Sequence, residues 1–91
     1  MKPAYVKDRQ ALLSRLNRVE GQVRGVARMV NEDAYCIDVL TQVGAVKAAI
    51  DEVALLLLED HVTGCVVDSV KKGETAKVDE LVGAVRRFAK S

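Results

Sequence analysis

The sequence CIDVLTQVGAVKAAIDEVALLLLEDHVTGCVVDSVKK, residues 36–72, decides the fold of this chain. Its apolar residues recur mostly at spacings of three and four, and no proline interrupts them. The pattern predicts one long amphipathic helix that ends at Gly73 and runs roughly 50 Å at about 1.5 Å per residue. The apolar positions are Ile37, Leu40, Val43, Ile50, Val53, Leu57, Leu58 and Val62.

Two shorter helices are predicted on either side of the long one. The first covers residues 7–30, where apolar residues recur with the same spacing. We expect Asn31 to end it and Asp33 to cap the long helix that follows. The third helix begins near Thr75 and runs to about Phe88. No stretch alternates as a strand does, so the sequence predicts an all-α protomer of three helices.

The lengths of these helices imply that two chains associate. The first and third helices are too short to cover the apolar stripe of the long helix. Two antiparallel hairpins packed as a four-helix bundle would bury it, so a dimer is the smallest assembly that we expect. The whole chain, residues 1–91, is predicted to be a single domain of this kind.

The composition points to an intracellular protein. The longest apolar run, residues 53–58, is far shorter than the roughly 20 residues that a membrane-spanning helix needs. The N-terminus has no apolar signal core, so we expect a cytoplasmic location and no membrane partner. Two cysteines in a reducing compartment favour metal or redox chemistry over a structural disulfide, although isolated cysteines are often simply buried.

Charge is sorted along the chain although the net charge is only +1. Residues 1–30 carry a net charge of +5, residues 31–70 carry −7, and residues 71–91 carry +3. Such sorting suggests a basic face for a polyanion, while a solvated helix surface explains it equally well. On the first helix, Lys7, Arg15 and Arg18 lie on one flank of the apolar stripe, where they could contact DNA phosphates.

Three soft donors are distributed along the long helix. His61 and Cys65 are four residues apart, which places them one turn apart on one face. Cys36 faces the same way, because 25 residues at about 100° each make nearly seven full turns. The axial separation of about 37 Å prevents a shared ion within one chain. Antiparallel packing of two long helices would bring Cys36 of one chain to His61 and Cys65 of the other. The alternative is a break near Gly44 that folds the helix back.

Two thiolates and one imidazole favour a soft ion of low coordination number, and Cu(I) is the natural candidate. Zinc remains an alternative if water or a carboxylate such as Glu80 completes a tetrahedron.

The chain resembles the copper-sensitive operon repressor (CsoR) family of bacterial metalloregulators. The resemblance rests on RLNRVEGQVRG at residues 15–25, DAYCIDVL at residues 33–40 and the pair His61 and Cys65. It implies a tetramer of two four-helix-bundle dimers that binds operator DNA without metal and releases it when Cu(I) binds. It also implies that Cys36, His61 and Cys65 are the ligands, with Tyr35 and Glu80 linking the site to the third helix.

Sister branches of the family sense nickel or cobalt, formaldehyde, or persulfide. His61 is the sole histidine of this chain, whereas the nickel and cobalt branch has additional histidines. The persulfide branch lacks the histidine and the formaldehyde branch lacks the second cysteine, so the copper branch fits best. Relatives in the copper branch can carry an arginine tied to DNA binding where this chain has Glu52, so that contact is either absent or replaced by nearby Lys47.

Other functions fit the sequence less well. Nothing in it resembles the nucleophile, base and oxyanion-binding groups of an enzyme, so we expect no catalytic activity. A cytosolic copper carrier or buffer would need the same three donors but has no use for a basic first helix. A thiol redox sensor would require Cys36 and Cys65 to approach each other as a disulfide. The sequence therefore predicts a Cu(I)-responsive transcriptional repressor.

Overall fold

The structure, a computed structural model, describes residues 2–90 and consists of helices and short turns over that range. A 3₁₀ turn, Ala4–Asp8, leads into α1, Arg9–Asn31. The long helix follows as α2, Cys36–Asp60, then a π-helical segment, His61–Val66, and then α3, Val67–Lys71. The last helix is α4, Ala76–Lys90. The all-α class and the order of the helices are confirmed.

α1 and α2 form an antiparallel hairpin with a seven-residue repeat. Leu12 and Val19 are buried on α1 and Val53 is buried on α2. These residues begin a row on each helix. Val26, seven residues after Val19, and Val46, seven residues before Val53, extend the rows and are half-buried. A sustained seven-residue repeat is typical of helices packed in bundles and coiled coils.

A second row of apolar residues, four positions after the first, remains uncovered. The side chains of this row are between 37% and 61% exposed. We call this row the open face of the hairpin. It consists of Leu16, Val23 and Val30 on α1 and Val43, Ile50 and Leu57 on α2. A contiguous apolar surface of this kind marks an interaction site, which supports the predicted packing of a second hairpin here.

The turn between α1 and α2 differs from the prediction. Asp33 does not cap α2: Tyr35 occupies the N-cap position and makes no side-chain cap hydrogen bond. Asp33 instead has a positive φ of 58° and closes the end of α1. Its N–H donates to Val30 O and the N–H of Ala34 donates to Met29 O, the hydrogen-bond pattern of a Schellman motif. The polar residue predicted to start one helix therefore ends the previous one.

The long helix is unbroken, as predicted, but it is not uniform. Its backbone continues through Gly44 without a break, so the alternative of a fold-back at that residue is wrong. At His61 the α-helix widens into a π-helical segment of six residues, which the sequence had not indicated. The helix ends as expected at Gly73, whose φ of 80° allows the chain to turn towards α4.

The protomer has little core of its own. Only Leu12, Val19, Val53 and Val66 are buried apolar residues within the described chain, and α4 buries none. The molecule measures 57 × 28 × 14 Å and its radius of gyration is 17.2 Å. A compact chain of this length would have a radius of about 12 Å. Within residues 2–90 no helix is long and apolar enough to cross a membrane.

Candidate metal centre and nucleic-acid interface

The three predicted donors lie at the two ends of the long helix. Cys36 is the first residue of α2 and is exposed, with a free thiol. His61 and Cys65 are the first and fifth residues of the π-helical segment and both are half-buried. The structure therefore brings His61 and Cys65 together on one segment and leaves Cys36 remote, about 37 Å away along the axis.

A single protomer does not complete a metal site. Within residues 2–90 no group of three His, Cys, Asp or Glu side chains is placed to hold an ion. Cys36 and His61 nevertheless lie on the side of α2 that carries the open face, within about 60° of Val43, Ile50 and Leu57 at 100° per residue. Their side chains thus face the surface that α1 leaves uncovered, which is where a second chain would pack.

The π-helical segment widens the helix at the position of two donors. Each π turn takes one more residue than an α turn, and such turns are frequent at functional sites. Here the N-terminal 3₁₀ turn and α4 both pack against the segment. His61 and Cys65 are therefore at the junction of three elements of the chain.

Gly64, between the two donors, makes room for the N-terminal turn. A Cβ atom added at Gly64 would lie 2.5 Å from the Cβ of Ala4, closer than real Cβ contacts allow. The absence of a side chain at Gly64 thus permits the 3₁₀ turn to rest on the π-helical segment. Sequence reasoning missed this role, and its sole signal is a glycine inside an otherwise strong helical pattern.

Asp60, next to His61, is a buried carboxyl group that sequence reasoning also missed. It is 4% exposed and continues the buried row of Val53 at a spacing of seven residues. Lys7 Nζ lies 3.9 Å from its Oδ1. Its Oδ2 accepts no hydrogen bond from the described residues. A carboxyl group in an apolar row was the available signal, because such a group needs a partner.

The neighbouring Asp8 carboxyl group raises the pKa of Asp60 above its ordinary value of 3.8, and burial raises it further. The charges of Asp8 and Glu59 act in the same direction, while Lys7 opposes them.

The two residues expected to surround the metal ligands are exposed in the protomer. Tyr35 immediately precedes Cys36 and is 70% exposed. Glu80 lies in the second turn of α4, the helix that packs on the π-helical segment. The structure thus places Tyr35 with the remote donor and Glu80 on the element beside His61 and Cys65.

The basic residues of α1 differ in how free their charges are. Arg15 and Arg18 are exposed and have no ion-pair partner within residues 2–90. Arg24 on another side of the helix pairs with Glu20. Lys7 lies in the 3₁₀ turn and is close to Asp60, although its side chain is 66% exposed. Arg15 and Arg18 are therefore the bases of this flank that remain available to an anion.

Lys47, the further base expected to contact DNA, lies elsewhere. It is exposed on α2, four residues after Val43 and three before Ile50. These spacings place it beside the open face rather than with the basic flank of α1.

The sequence matches the family described as metal-sensitive transcriptional repressor over residues 8–87. It is 46% identical over 86 residues to the copper-sensing transcriptional repressor CsoR of Bacillus subtilis (strain 168), with 93% of this chain and 85% of that protein covered. It is 47% identical over 90 residues to the copper-sensing transcriptional repressor RicR of Mycobacterium tuberculosis (strain ATCC 25618 / H37Rv), with 96% and 94% covered.

Two solved structures have a similar fold. The copper-sensing repressor CsoR with Cu(I) from Geobacillus thermodenitrificans NG80-2 superposes with a TM-score of 0.89 at 39% identity, covering 98% of this chain and 94% of that one. The nickel-responsive transcriptional regulator InrS superposes with a TM-score of 0.76 at 44% identity, covering 87% and 90%.

An all-helical protomer with thiol and imidazole donors on an uncovered face has the architecture of a helical metal-responsive regulator. The family match and the identity to full-length relatives agree with that architecture. The chain belongs to the family of metal-sensitive transcriptional repressors. The resemblance stated from the sequence is confirmed, and so is the expectation of a regulator rather than an enzyme.

Proposed function

We propose that this protein is a Cu(I)-responsive repressor in the cytoplasm, which binds operator DNA without metal and releases it when Cu(I) binds. The observation that carries the proposal is the placement of Cys36 and His61 on the uncovered side of α2, at opposite ends of the helix. Two chains packed antiparallel would then hold two equivalent ions, each between Cys36 of one chain and His61 and Cys65 of the other.

The donor set fits Cu(I). Two thiolates and one imidazole suit a soft ion that accepts three ligands, and the surrounding open face is apolar. The similarity to repressors described as copper-sensing supports the same metal. Nickel is the second candidate, because the nickel-responsive InrS is also similar. A lone histidine per chain argues against nickel, which is usually bound by more nitrogen and oxygen ligands.

The basic flank of α1 is the proposed DNA surface. Arg15 and Arg18 can neutralise phosphates, and their release of counterions supplies affinity that depends on salt. Lys7 would add to the same flank if it leaves Asp60. Bases spread over a rigid bundle carry little base-specific information, so operator shape would contribute to specificity. A dimer of dimers, a homotetramer, would present this flank more than once.

The π-helical segment is the proposed link between metal and DNA. The N-terminal turn, α4 and α2 all meet there. Binding of an ion by His61 and Cys65 would favour one arrangement of that junction over others. The N-terminal turn carries Lys7 and leads directly into α1, so a change at the junction reaches the basic flank. Glu80 on α4 and Tyr35 beside Cys36 are the proposed residues that surround the ligands.

An operator titration tests the proposal. Apo protein selects its operator from a random-sequence DNA library, and fluorescence anisotropy then measures affinity under anaerobic conditions with no metal, with Cu(I) or with Ni(II). Cu(I) should weaken binding by about 5- to 150-fold, the usual range of allosteric coupling. The variant Cys36→Ala should not respond to Cu(I). Release by Ni(II) but not by Cu(I) would favour the second candidate. Selection of no DNA would refute the repressor and favour a copper carrier.

A further inference from the structure

Lys47 and Asp51 are a basic and an acidic side chain on the uncovered side of α2, near the middle of the helix. Both are exposed. Neither forms an ion pair within residues 2–90, although they are one turn apart and could pair with each other. On the helix they lie about 20° and 60° from the direction of Cys36, so both project where a second chain would pack.

Lys47 lies in an acidic part of the sequence. It is the sole lysine or arginine among residues 31–70, which contain eight acids. It also lies between the apolar residues Val43 and Ile50 of the open face. A long cationic side chain at the edge of an apolar surface that packs against a second chain needs an anionic partner, because leaving it unpaired there would cost free energy.

The antiparallel register identifies that partner, and this step rests on the proposed intersubunit metal site. When Cys36 of one chain is level with the His61 and Cys65 pair of the other, residue 47 is level with residue 52 of the partner subunit. Asp51 of the partner subunit is then displaced by about 1.5 Å along the axis. It also shares the direction of Lys47 to within about 40°. Glu52 is level with Lys47 but points about 140° away from it.

We propose that Lys47 forms an ion pair with Asp51 of the partner subunit, and that the two-fold symmetry of the dimer repeats the pair. The ammonium group of Lys47 donates hydrogen bonds to the carboxylate. The two pairs flank the symmetry axis and set the antiparallel register in which each Cys36 is level with the donors of the other chain. A parallel packing would instead place Lys47 against Lys47 and Asp51 against Asp51, which like-charge repulsion disfavours.

Subunit exchange between two charge-reversed variants tests this pairing. Lys47→Glu alone places glutamate against aspartate twice across the interface, and Asp51→Lys alone places lysine against lysine twice. In the mixed dimer both cross-chain pairs become attractive. The mixed dimer should therefore exceed its statistical share, with an exchange constant raised about five-fold or more. Native mass spectrometry of isotopically labelled chains, without metal, measures the distribution.

The same exchange experiment distinguishes the proposed cross-chain pair from an ion pair of Lys47 with Asp51 of its own chain. In the mixed dimer each chain still has like charges at positions 47 and 51, so an intrachain pair predicts only the statistical distribution. The matched control mixes Lys47→Glu with Glu52→Lys, since Glu52 is at the same level but faces away. A statistical distribution in the test mixture, or equal enrichment in the control, would overturn the proposal.

Operator release by Cu(I), measured on the wild-type protein, distinguishes a failure of this ion pair from a failure of the proposed function. If wild-type protein releases its operator with Cu(I) while the test mixture stays statistical, the register pair is wrong and the repressor stands. If Lys47 contacts DNA instead, Lys47→Glu weakens operator binding and the mixture is statistical, which also overturns the pair.

Discussion

Ala4 rests directly on Gly64, so the N-terminal turn touches the helix between the two candidate donors His61 and Cys65. A methyl group at Gly64 would overlap the Cβ of Ala4 at 2.5 Å. Neither atom is the end of a flexible side chain, so the backbone of one element has to move. A substitution at Gly64 therefore tests whether the N-terminal turn can stay docked on the π-helical segment.

Gly64→Ala should detach the 3₁₀ turn while keeping the helix, since alanine is the better helix former by about 1 kcal/mol. Amides of residues 4–8 should then exchange hydrogen faster in mass spectrometry. Gly83→Ala is the matched control, because its added Cβ would meet only the flexible guanidinium group of Arg87 at 3.6 Å. Unchanged exchange in Gly64→Ala would mean that the turn adapts without undocking.

The pKa of Asp60 predicts how stability varies with pH. Its pKa is raised in the folded chain, chiefly by the Asp8 carboxyl group, so folding favours the protonated form. Below the ordinary value of 3.8 both folded and unfolded chains are protonated and the group has no effect. As the pH rises through that value towards the folded pKa, the unfolded chain ionises first and stability falls. The loss is complete above the folded pKa.

Asp60→Asn, which stays neutral, should therefore raise the thermal unfolding midpoint at pH 7 relative to wild type. The gain should shrink as the pH falls towards 4 and vanish near the ordinary pKa of 3.8. The control Asp68→Asn removes an exposed carboxylate that pairs with Lys72 at 3.3 Å. That change should have little effect on stability at either pH. A gain for Asp60→Asn that is equal at pH 4 and pH 7 would contradict the raised pKa.

The helices were predictable because their signals are local and repetitive. Apolar residues at three- and four-residue spacing defined the long helix, and Gly73 ended it with a positive φ, as expected. Asp33 was assigned to the wrong helix, because an aspartate suits both an N-cap and a left-handed turn. Whether Asp33 forms an N-cap or a left-handed turn depends on where α1 ends. The residue type alone does not determine that position.

The π-helical segment was not predictable in the same way. An i→i+5 hydrogen bond differs from an i→i+4 bond by one residue, and no residue type selects it strongly. The N-terminal turn and α4 pack against the segment, and contacts between separate elements cannot be read from a local pattern. The relative positions of Cys36, His61 and Cys65, by contrast, follow from spacing alone, because residues 25 and 29 positions apart face nearly the same way on a helix. That these three residues bind the metal stays a prediction.

Arg15 and Arg18 should contribute to operator affinity through phosphates. If each contacts one phosphate, Arg15→Ala and Arg18→Ala should each weaken binding and reduce the slope of log K against log salt by about 0.9. The control Arg24→Ala removes a base already paired with Glu20 and should leave the slope nearly unchanged. Affinity and slope that are unchanged in both test variants would assign these arginines to the solvated surface of α1.

Complementation between two inactive variants should show whether Cu(I) binds between subunits. Cys36→Ala lacks the remote donor, and the double variant His61→Ala/Cys65→Ala lacks the pair on the π-helical segment. Neither homodimer should hold Cu(I) tightly, because thiolates supply most of the affinity for a soft ion. A mixed dimer, however, has one end with all three donors and one end with none. It should bind one Cu(I) per dimer with an affinity near that of wild type, measured by competition with a chromophoric chelator under anaerobic conditions.

The stoichiometry of the mixed dimer distinguishes the cross-chain site from a site within one chain. The axial separation of about 37 Å between Cys36 and His61 forbids the intrachain site as long as the helix is continuous, and the structure shows no break at Gly44. A mixed dimer that binds no Cu(I), beside wild type that binds two, would mean that chains pair in another register. A tight site in the Cys36→Ala homodimer would instead mean that His61 and Cys65 suffice with a different third ligand. Glu80, on the helix packed against their segment, would then be the first residue to substitute.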